Sequence, residues 1–330
     1  MSHYKHFTLI EREKLLFFVA KQLSISQIAV ALGKDRSTIY RELKRNDFKR
    51  LGYLPAQAQK KYEKRRKRSK RPKLLEDPTL YEFVQDRFLN HHWSPEQISG
   101  RLALEQAPKQ ISYMTIYRAI NAGMFDTPKQ KNSNGNHGMR RRLRHKGKPR
   151  KSKNPESMRG KLLVEHWIEE RPKEADLRLR FGDWEADTVL GKRGKACLLT
   201  LVDRKSRYLC CKKLPACQSE WVTKAIVARL KQLPCQTVTP DNGKEFAGFA
   251  RISQELGVPV YFAHPGCPWE RGTNENTNGL LREYFPKRTD LTDISEDEIQ
   301  RIEADLNNRP RKTLGFHTPA EIFFSSLCCT

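Results

Sequence analysis

The chain has 330 residues, 37% of them hydrophobic, which suits two domains of ordinary size with at least one real core. Lys and Arg number 63 against 38 Asp and Glu, a formal charge of +25 that argues against an ordinary small-metabolite enzyme and for a polyanionic partner, nucleic acid first. Apolar runs such as Leu15 to Ala20 are far too short to span a bilayer, and the amino terminus lacks a basic segment leading into an apolar stretch. A soluble, cytoplasmic protein with no membrane partner is expected.

The excess charge is lopsided. Residues 1–160 carry 37 basic and 14 acidic side chains, net +23, whereas residues 161–330 carry 26 and 24, net +2. A basic front followed by a near-neutral back reads as a nucleic-acid binder joined to something else. Phe7 to Asn46 reads as three helices, the first amphipathic around Leu9, Leu15, Leu16, Val19 and Leu23. The second opens on Ser24-Ile25-Ser26-Gln27, a capping-box spacing, and stops at Gly33. Asp35 then caps a third helix, Arg36 to Lys44, with Ile39 and Leu43 inward. Its outward residues are Arg36, Ser37, Thr38, Tyr40, Arg41 and Lys44: cations for phosphates, short polar groups for base edges, in a helix-turn-helix layout. The pattern recurs. Ser94-Pro95-Glu96-Gln97-Ile98 repeats the start 70 positions later, and Met114 to Arg118 echoes Ser37 to Arg41 at an offset of 77, which lengthens the second turn.

Between these units Lys60 to Lys73 holds ten basic residues in fourteen, a solvated helix face able to track a phosphate backbone. Asp126 to Gly160 holds twelve Lys and Arg, three prolines and few apolar residues, and reads as a basic linker, disordered or ordered only on DNA. The expected organisation is a helix-turn-helix domain over 1–50, a basic helical connector over 51–75, a second helix-turn-helix-like domain over 76–125, the linker over 126–174 and a core over 175–330.

From Leu179 the period changes to two. Strands are expected over Phe181 to Leu190, Ala196 to Val202 and Tyr208 to Leu214. Then come a helix from Trp221 to Leu233, strands at Gln236 to Thr239 and Val258 to Phe262, and helices over Phe246 to Leu256 and from about Asn274 to Phe285. A three-strand meander followed by alternating helix and strand is the order of a mixed α/β domain of the ribonuclease H-like kind. All eight cysteines follow residue 196, without a C-x-x-C pair or a zinc-like histidine spacing, and read as reduced thiols.

Acids stand at informative places in that order. Asp183, Glu185 and Asp187 share one face of the first strand, and spacing does not choose among them. Asp241 ends the fourth strand in Thr239-Pro240-Asp241-Asn242-Gly243; if strands one and four are parallel neighbours, their carboxylates converge. Glu275 lies early in the late helix, with Asn278, Gly279 and Arg282 on its face and Leu280, Leu281 and Tyr284 on the other. Converging carboxylates repel unless a cation joins them, and hard oxygen ligands suit Mg²⁺ or Mn²⁺, two ions roughly 3.5–4 Å apart being the arrangement for phosphoryl transfer.

The strings GDWEADTVLG (182–191), DNGKEFA (241–247), HPGCPWERGTNENTNGLLREYFPK (264–287) and LNNRPRKTLGFHTPAEIF (306–323) resemble bacterial insertion-sequence transposases of the Asp-Asp-Glu type, in the family named after insertion sequence thirty. IYRELKRN and WSPEQI in the front half fit as well. In that family the first aspartate follows tryptophan as W-x-x-D, which selects Asp187; the second opens D-N-G, which is Asp241. The glutamate of T-N-E-N is Glu275, with 33 residues between it and Asp241. The resemblance implies that Asp187, Asp241 and Glu275 are catalytic and hold two divalent metal ions. It implies hydrolysis at terminal inverted repeats, attack of the freed 3′-OH on target DNA, and a homo-oligomer that pairs two ends near the nucleoid. Asn242, Asn274, Asn278 and Arg282 are expected to position DNA. The rival expectation is a non-catalytic, sequence-specific DNA-binding regulator derived from a transposase.

Overall fold

In a computed structural model of the chain, residues 6–48, 52–69, 73–127, 132–133, 136–143, 165–192 and 195–327 are described. They fall into two compact units, Met1–Glu76 and Asp77–Thr330. The first holds α1 (Leu9–Ala20), α2 (Ile25–Leu32), α3 (Arg36–Arg45), a two-residue ribbon of β1 (Asp47–Phe48) and β2 (Gly52–Tyr53), and α4 (Pro55–Ser69). The helix starts follow their capping residues. Ser24 and Gln27 form the reciprocal box, Gly33 closes α2 at φ 58°, and Asp35 accepts from the Ser37 amide at 2.7 Å.

α1 departs from its expected face. Leu15 is fully buried, but Leu9, Leu16 and Val19 are 41%, 38% and 37% exposed, and Arg12 is buried in their stead. A cation is tolerated there because its guanidinium is ion-paired and hydrogen-bonded: Nε donates to Glu42 at 2.7 Å, and Nη1 to the Phe7 carbonyl at 2.8 Å and to Gln59 at 2.5 Å. The basic run lies on α4, exposed from Glu63 to Ser69; residues 70–72 fall outside the described residues, as does 144–164 of the basic linker.

The second unit opens with α5 (Pro78–Leu89), α6 (Pro95–Leu104) and α7 (Tyr113–Asn121), where Ser94 and Gln97 form the predicted box and Ser112 caps α7. These helices, drawn from sequence as a module of their own, pack against the carboxy-terminal segments. Gln97 Nε2 donates to the Pro310 carbonyl at 2.7 Å, Arg101 grips Glu321 at 2.6 and 2.8 Å, and a Cβ on Gly100 would stand 2.4 Å from the Phe316 ring. A second ribbon, β3 (Asn132–Ser133) with β4 (Asn136–His137), and the one-turn α8 (Lys173–Asp176) lead to the sheet.

That sheet has β5 (Asp183–Leu190), β6 (Cys197–Asp203), β7 (Leu209–Leu214) and β8 (Thr237–Thr239) in the order β7-β6-β5-β8. The meander is antiparallel and β8 joins β5 in parallel after the crossover helix α9 (Ser219–Leu230). On one face α9 and α10 (Phe249–Leu256) cover Trp184, Leu199, Leu201 and Val238; on the other α11 (Gly272–Tyr284) and α12 (Glu296–Asn307) cover Val189, Leu198 and Val202. α13 (Pro319–Leu327) closes the described chain. With helices on both sides, β6 is buried along its whole length and is apolar but for Thr200 and Asp203. The fold is thus a ribonuclease H-like α/β core preceded by all-α helix-turn-helix elements. The strand expected at 258–262 shrinks to isolated bridges, Val260 to Val238 and Phe262 to Trp167. Pro259 has no N–H to give a ladder, so only its carbonyl takes part, accepting from the Val238 amide at 3.2 Å. Cys197, Cys210 and Cys211 are buried strand thiols; Cys328 and Cys329 lie outside the described residues. Among the described residues no helix is long and apolar enough to cross a membrane.

Candidate active site

Parallel pairing of β5 with β8 runs Asp183 to Thr237, Trp184 to Val238 and Glu185 to Thr239. Two residues past the last pair the same register sets Asp187 beside Asp241, as the parallel arrangement requires. Depth then separates the three acids of β5. Asp183 is fully buried, held by Arg180 at 3.0 and 3.1 Å and by the Thr237 hydroxyl at 2.8 Å. Glu185, equally buried, takes Arg204 on one oxygen and the Asn274 amide on the other at 2.8 Å. Both are spent inside the fold. Asp187, two residues past the last β5–β8 pair, keeps its carboxylate partly exposed, at 23%.

One cation serves both aspartates. Arg271, the residue before α11, places Nη1 3.5 Å from Asp187 and Nη2 3.4 Å from Asp241, and anchors Nη1 on the Ala186 carbonyl at 3.0 Å. Asn278 donates to Asp187 at 2.9 Å, and the Thr188 and Gly243 amides cap the two carboxylates at 2.8 and 3.1 Å. Burial pushes the Asp187 carboxyl up from its ordinary value, with Arg271 pulling it back. Burial likewise raises Asp241, to about 6, against the pull of Arg271 and with further upward pressure from Asp187 and Glu245. Space at Gly243 is tight: a Cβ there would stand 2.8 Å from the Asp241 oxygen and 2.5 Å from Glu245, so both carboxylates would have to move.

Glu275 lies one helical turn after Arg271 and is exposed. It lines an open groove of about 360 Å³ together with Asp187, Arg271, Asn278, Arg282 and Lys287. The expected face of α11 is the observed one: Asn278, Gly279 and Arg282 line the groove while Leu280 and Leu281 are buried. Arg282 holds the Leu190 carbonyl at 2.8 Å. Asn242 is half-buried beside Asp241. Asn274 is different. It is fully buried, with its side chain on the Glu185 carbonyl at 3.3 Å and within reach of the Thr200 hydroxyl, so it anchors α11 to β5 rather than reaching DNA. Arg271, Lys287 and the hydroxyl of Thr200, which lies 3.1 Å from the Asn274 and Asn278 side-chain oxygens, were not singled out from sequence. The i, i+4 spacing of Arg271 and Glu275 was the available signal for the first.

As the side chains lie, no three Asp, Glu, His or Cys among the described residues stand close enough together to hold a metal ion. The donor set nevertheless fits a hard divalent cation. Asp187 and Asp241 already share a positive charge, every nearby donor is oxygen, and Glu275 stands on the wall of the same groove. In the first unit, Arg36, Ser37, Tyr40, Arg41 and Lys44 are exposed on α3 and Thr38 is half-buried, while Ile39 is fully buried beneath them.

The helix-turn-helix domain family matches residues 3–46 and the integrase core domain family matches residues 179–268. The chain is 39% identical over 322 residues to the transposase for insertion sequence element IS4351 of Bacteroides fragilis, covering 97% of this chain and 95% of that one. It is 37% identical over 336 residues to the transposase InsI for insertion sequence element IS30A of Escherichia coli (strain K12), covering 98% and 85%. It is 38% identical over 320 residues to the transposase for insertion sequence element IS1086 of Cupriavidus metallidurans, covering 94% and 92%.

Proposed function

Because the chain belongs to the IS30 family of insertion-sequence transposases, we propose that it binds the terminal inverted repeats of its own element and moves them by hydrolysis and strand transfer. In the first step water attacks the phosphodiester at the element's end, leaving a free 3′-OH and a 5′-phosphate. In the second that 3′-OH attacks a target phosphate, forming a new ester while the target's 3′ oxygen leaves with a proton. No serine, cysteine or tyrosine nucleophile takes part.

The single observation that carries this reading is the β5–β8 register, which brings Asp187 and Asp241 onto one shared cation beside the groove that holds Glu275. These three carboxylates would hold two Mg²⁺ or Mn²⁺ ions. When bound, such ions supply activation of the attacking oxygen and stabilisation of the leaving oxygen. The chain's own residues do the rest. Asn278 orients Asp187, Asn242 stands beside Asp241, and Arg282 and Lys287 on the groove wall face the phosphates of the strand. Arg36, Arg41 and Lys44 hold the backbone of the duplex end, with Ser37, Thr38 and Tyr40 at its base edges. Pairing two ends calls for a homo-oligomer on DNA.

The test is incubation with Mg²⁺ and a labelled duplex carrying the element's end, alongside the Glu275→Ala variant. The wild type should cut and join, and the variant should bind the end without cutting. Binding by both and cutting by neither would leave a DNA-binding regulator instead.

A further inference from the structure

α11 has a concavity on each side. Glu275, Asn278 and Arg282 line the groove beside Asp187, whereas Asn276 and Leu280 line a separate pocket of about 460 Å³ where α5, α6 and α7 meet the core. Residues 275 and 276 are neighbours on the helix, their Cα atoms about 3.8 Å apart, so the two sites are divided only by the helix wall. The pocket's charge is opposite to that of the aspartate pair. Arg142, Arg309, Arg311 and Lys312 stand on its walls against one carboxylate, Glu96. Arg309 is tied to Glu283 at 2.7 Å and the buried Arg311 donates to the Leu306 carbonyl at 2.8 Å, which leaves the exposed Arg142 and Lys312 to face one acid. Two half-buried rings, His92 and Tyr117, complete the lining. Burial and the nearby Arg142 keep the His92 imidazole below its ordinary pKa, hence a neutral ring near pH 7.

Aromatic faces beside cations are the equipment for one nucleotide of a single strand, a base to stack and a phosphate to neutralise. The volume falls in the range of small-ligand pockets and is too small for a duplex. We propose that this pocket is a nucleotide subsite that takes a splayed nucleotide of the DNA strand bordering the bond cut in the groove. Tyr117 and His92 stack the base, while Arg142 and Lys312 hold its phosphate. The position of the subsite next to the scissile bond rests on the transposase reading; its affinity for a single strand does not.

The test uses the full chain in a chelator, so that binding is read without metal. A short oligothymidylate carrying one 2-aminopurine is titrated at several salt concentrations into the wild type, Tyr117→Ala, the Arg142→Gln/Lys312→Gln double variant and a charge-matched control, Lys224→Gln/Lys231→Gln, at exposed positions on α9 and just past its end. Unchanged melting temperatures establish that the variants fold. Tyr117→Ala and the pocket double variant should each weaken binding about tenfold. The pocket double variant should flatten the slope of log affinity against log salt by about 1.4, at about 0.7 for each lost phosphate contact. The control should keep near wild-type affinity. Equal losses in control and pocket variants, or 2-aminopurine fluorescence indifferent to Tyr117, would overturn the subsite. Cutting of the labelled end by the wild type is scored separately. If the wild type does not cut but the pocket variants lose the oligonucleotide, the subsite stands and the transposase reading falls. If the wild type cuts and the pocket variants bind and cut like it, the subsite falls and the transposase reading stands.

Discussion

Asp241 is the residue whose surroundings make the sharpest demand. Its carboxyl is raised to about 6, so between its ordinary value and that point the native state keeps a proton that the unfolded chain has lost. Stability of the metal-free protein should therefore fall as pH rises from about 4 to 6. The slope is bounded by about 1.4 kcal/mol per pH unit for one retained proton, and solvent at this partly exposed group brings it lower. Thermal melts across that window should show the fall in the wild type and a flatter profile in Asp241→Asn. Gly243→Ala tests the same carboxylate sterically. The new Cβ would stand 2.8 Å from the Asp241 oxygen, so strand cutting should drop about a hundredfold while stability changes by no more than about 1 kcal/mol. At this scale the sequence was partly legible. D-N-G and the late helix placed Asp241 and Glu275, but Asp183, Glu185 and Asp187 are alike in spacing. Only their depth tells them apart: two are fully buried against arginines and one, past the β5–β8 pairing, opens on the groove.

Among elements, those with local signals could be read and those decided by distant partners could not. Ser24, Asp35 and Ser94 announced their helices because a cap is satisfied within three residues. The inward face of α1 was misread because Arg12 is buried by Glu42 and Gln59, 30 and 47 positions away. The strand over 258–262 was overdrawn because its apolar pattern hides the missing donor of Pro259. The seam between α6 and the carboxy-terminal turn is one of the tight non-local contacts. Gly100 leaves no room for a methyl group beside Phe316, itself held at φ 68°. Gly100→Ala should destabilise the second unit by about 1–3 kcal/mol through overpacking, seen as a lowered melting temperature. Binding of a duplex end through α3 should persist at a temperature where both proteins are folded.

For the whole molecule, the division of labour follows the division of charge: a basic front that carries α3, and a near-neutral back that carries the sheet and its acids. If Arg36, Arg41 and Lys44 each neutralise one phosphate, changing all three to glutamine should flatten the salt dependence of duplex-end binding by about 2.7, at about 0.9 per contact. A fluorescence titration at several salt concentrations checks this, and an unchanged slope would move the duplex contact elsewhere on the chain. The guanidinium of Arg271 has a consequence for order of assembly. Its charge already answers Asp187 and Asp241, so the polypeptide reaches its native shape without waiting for an inorganic partner. Adding EDTA should accordingly leave the melting temperature of metal-free protein where it was. On the proposed reading, maturation and arming become separate events: a freshly made copy would be a finished but idle object, and the supply of divalent ions would set when it starts to cut.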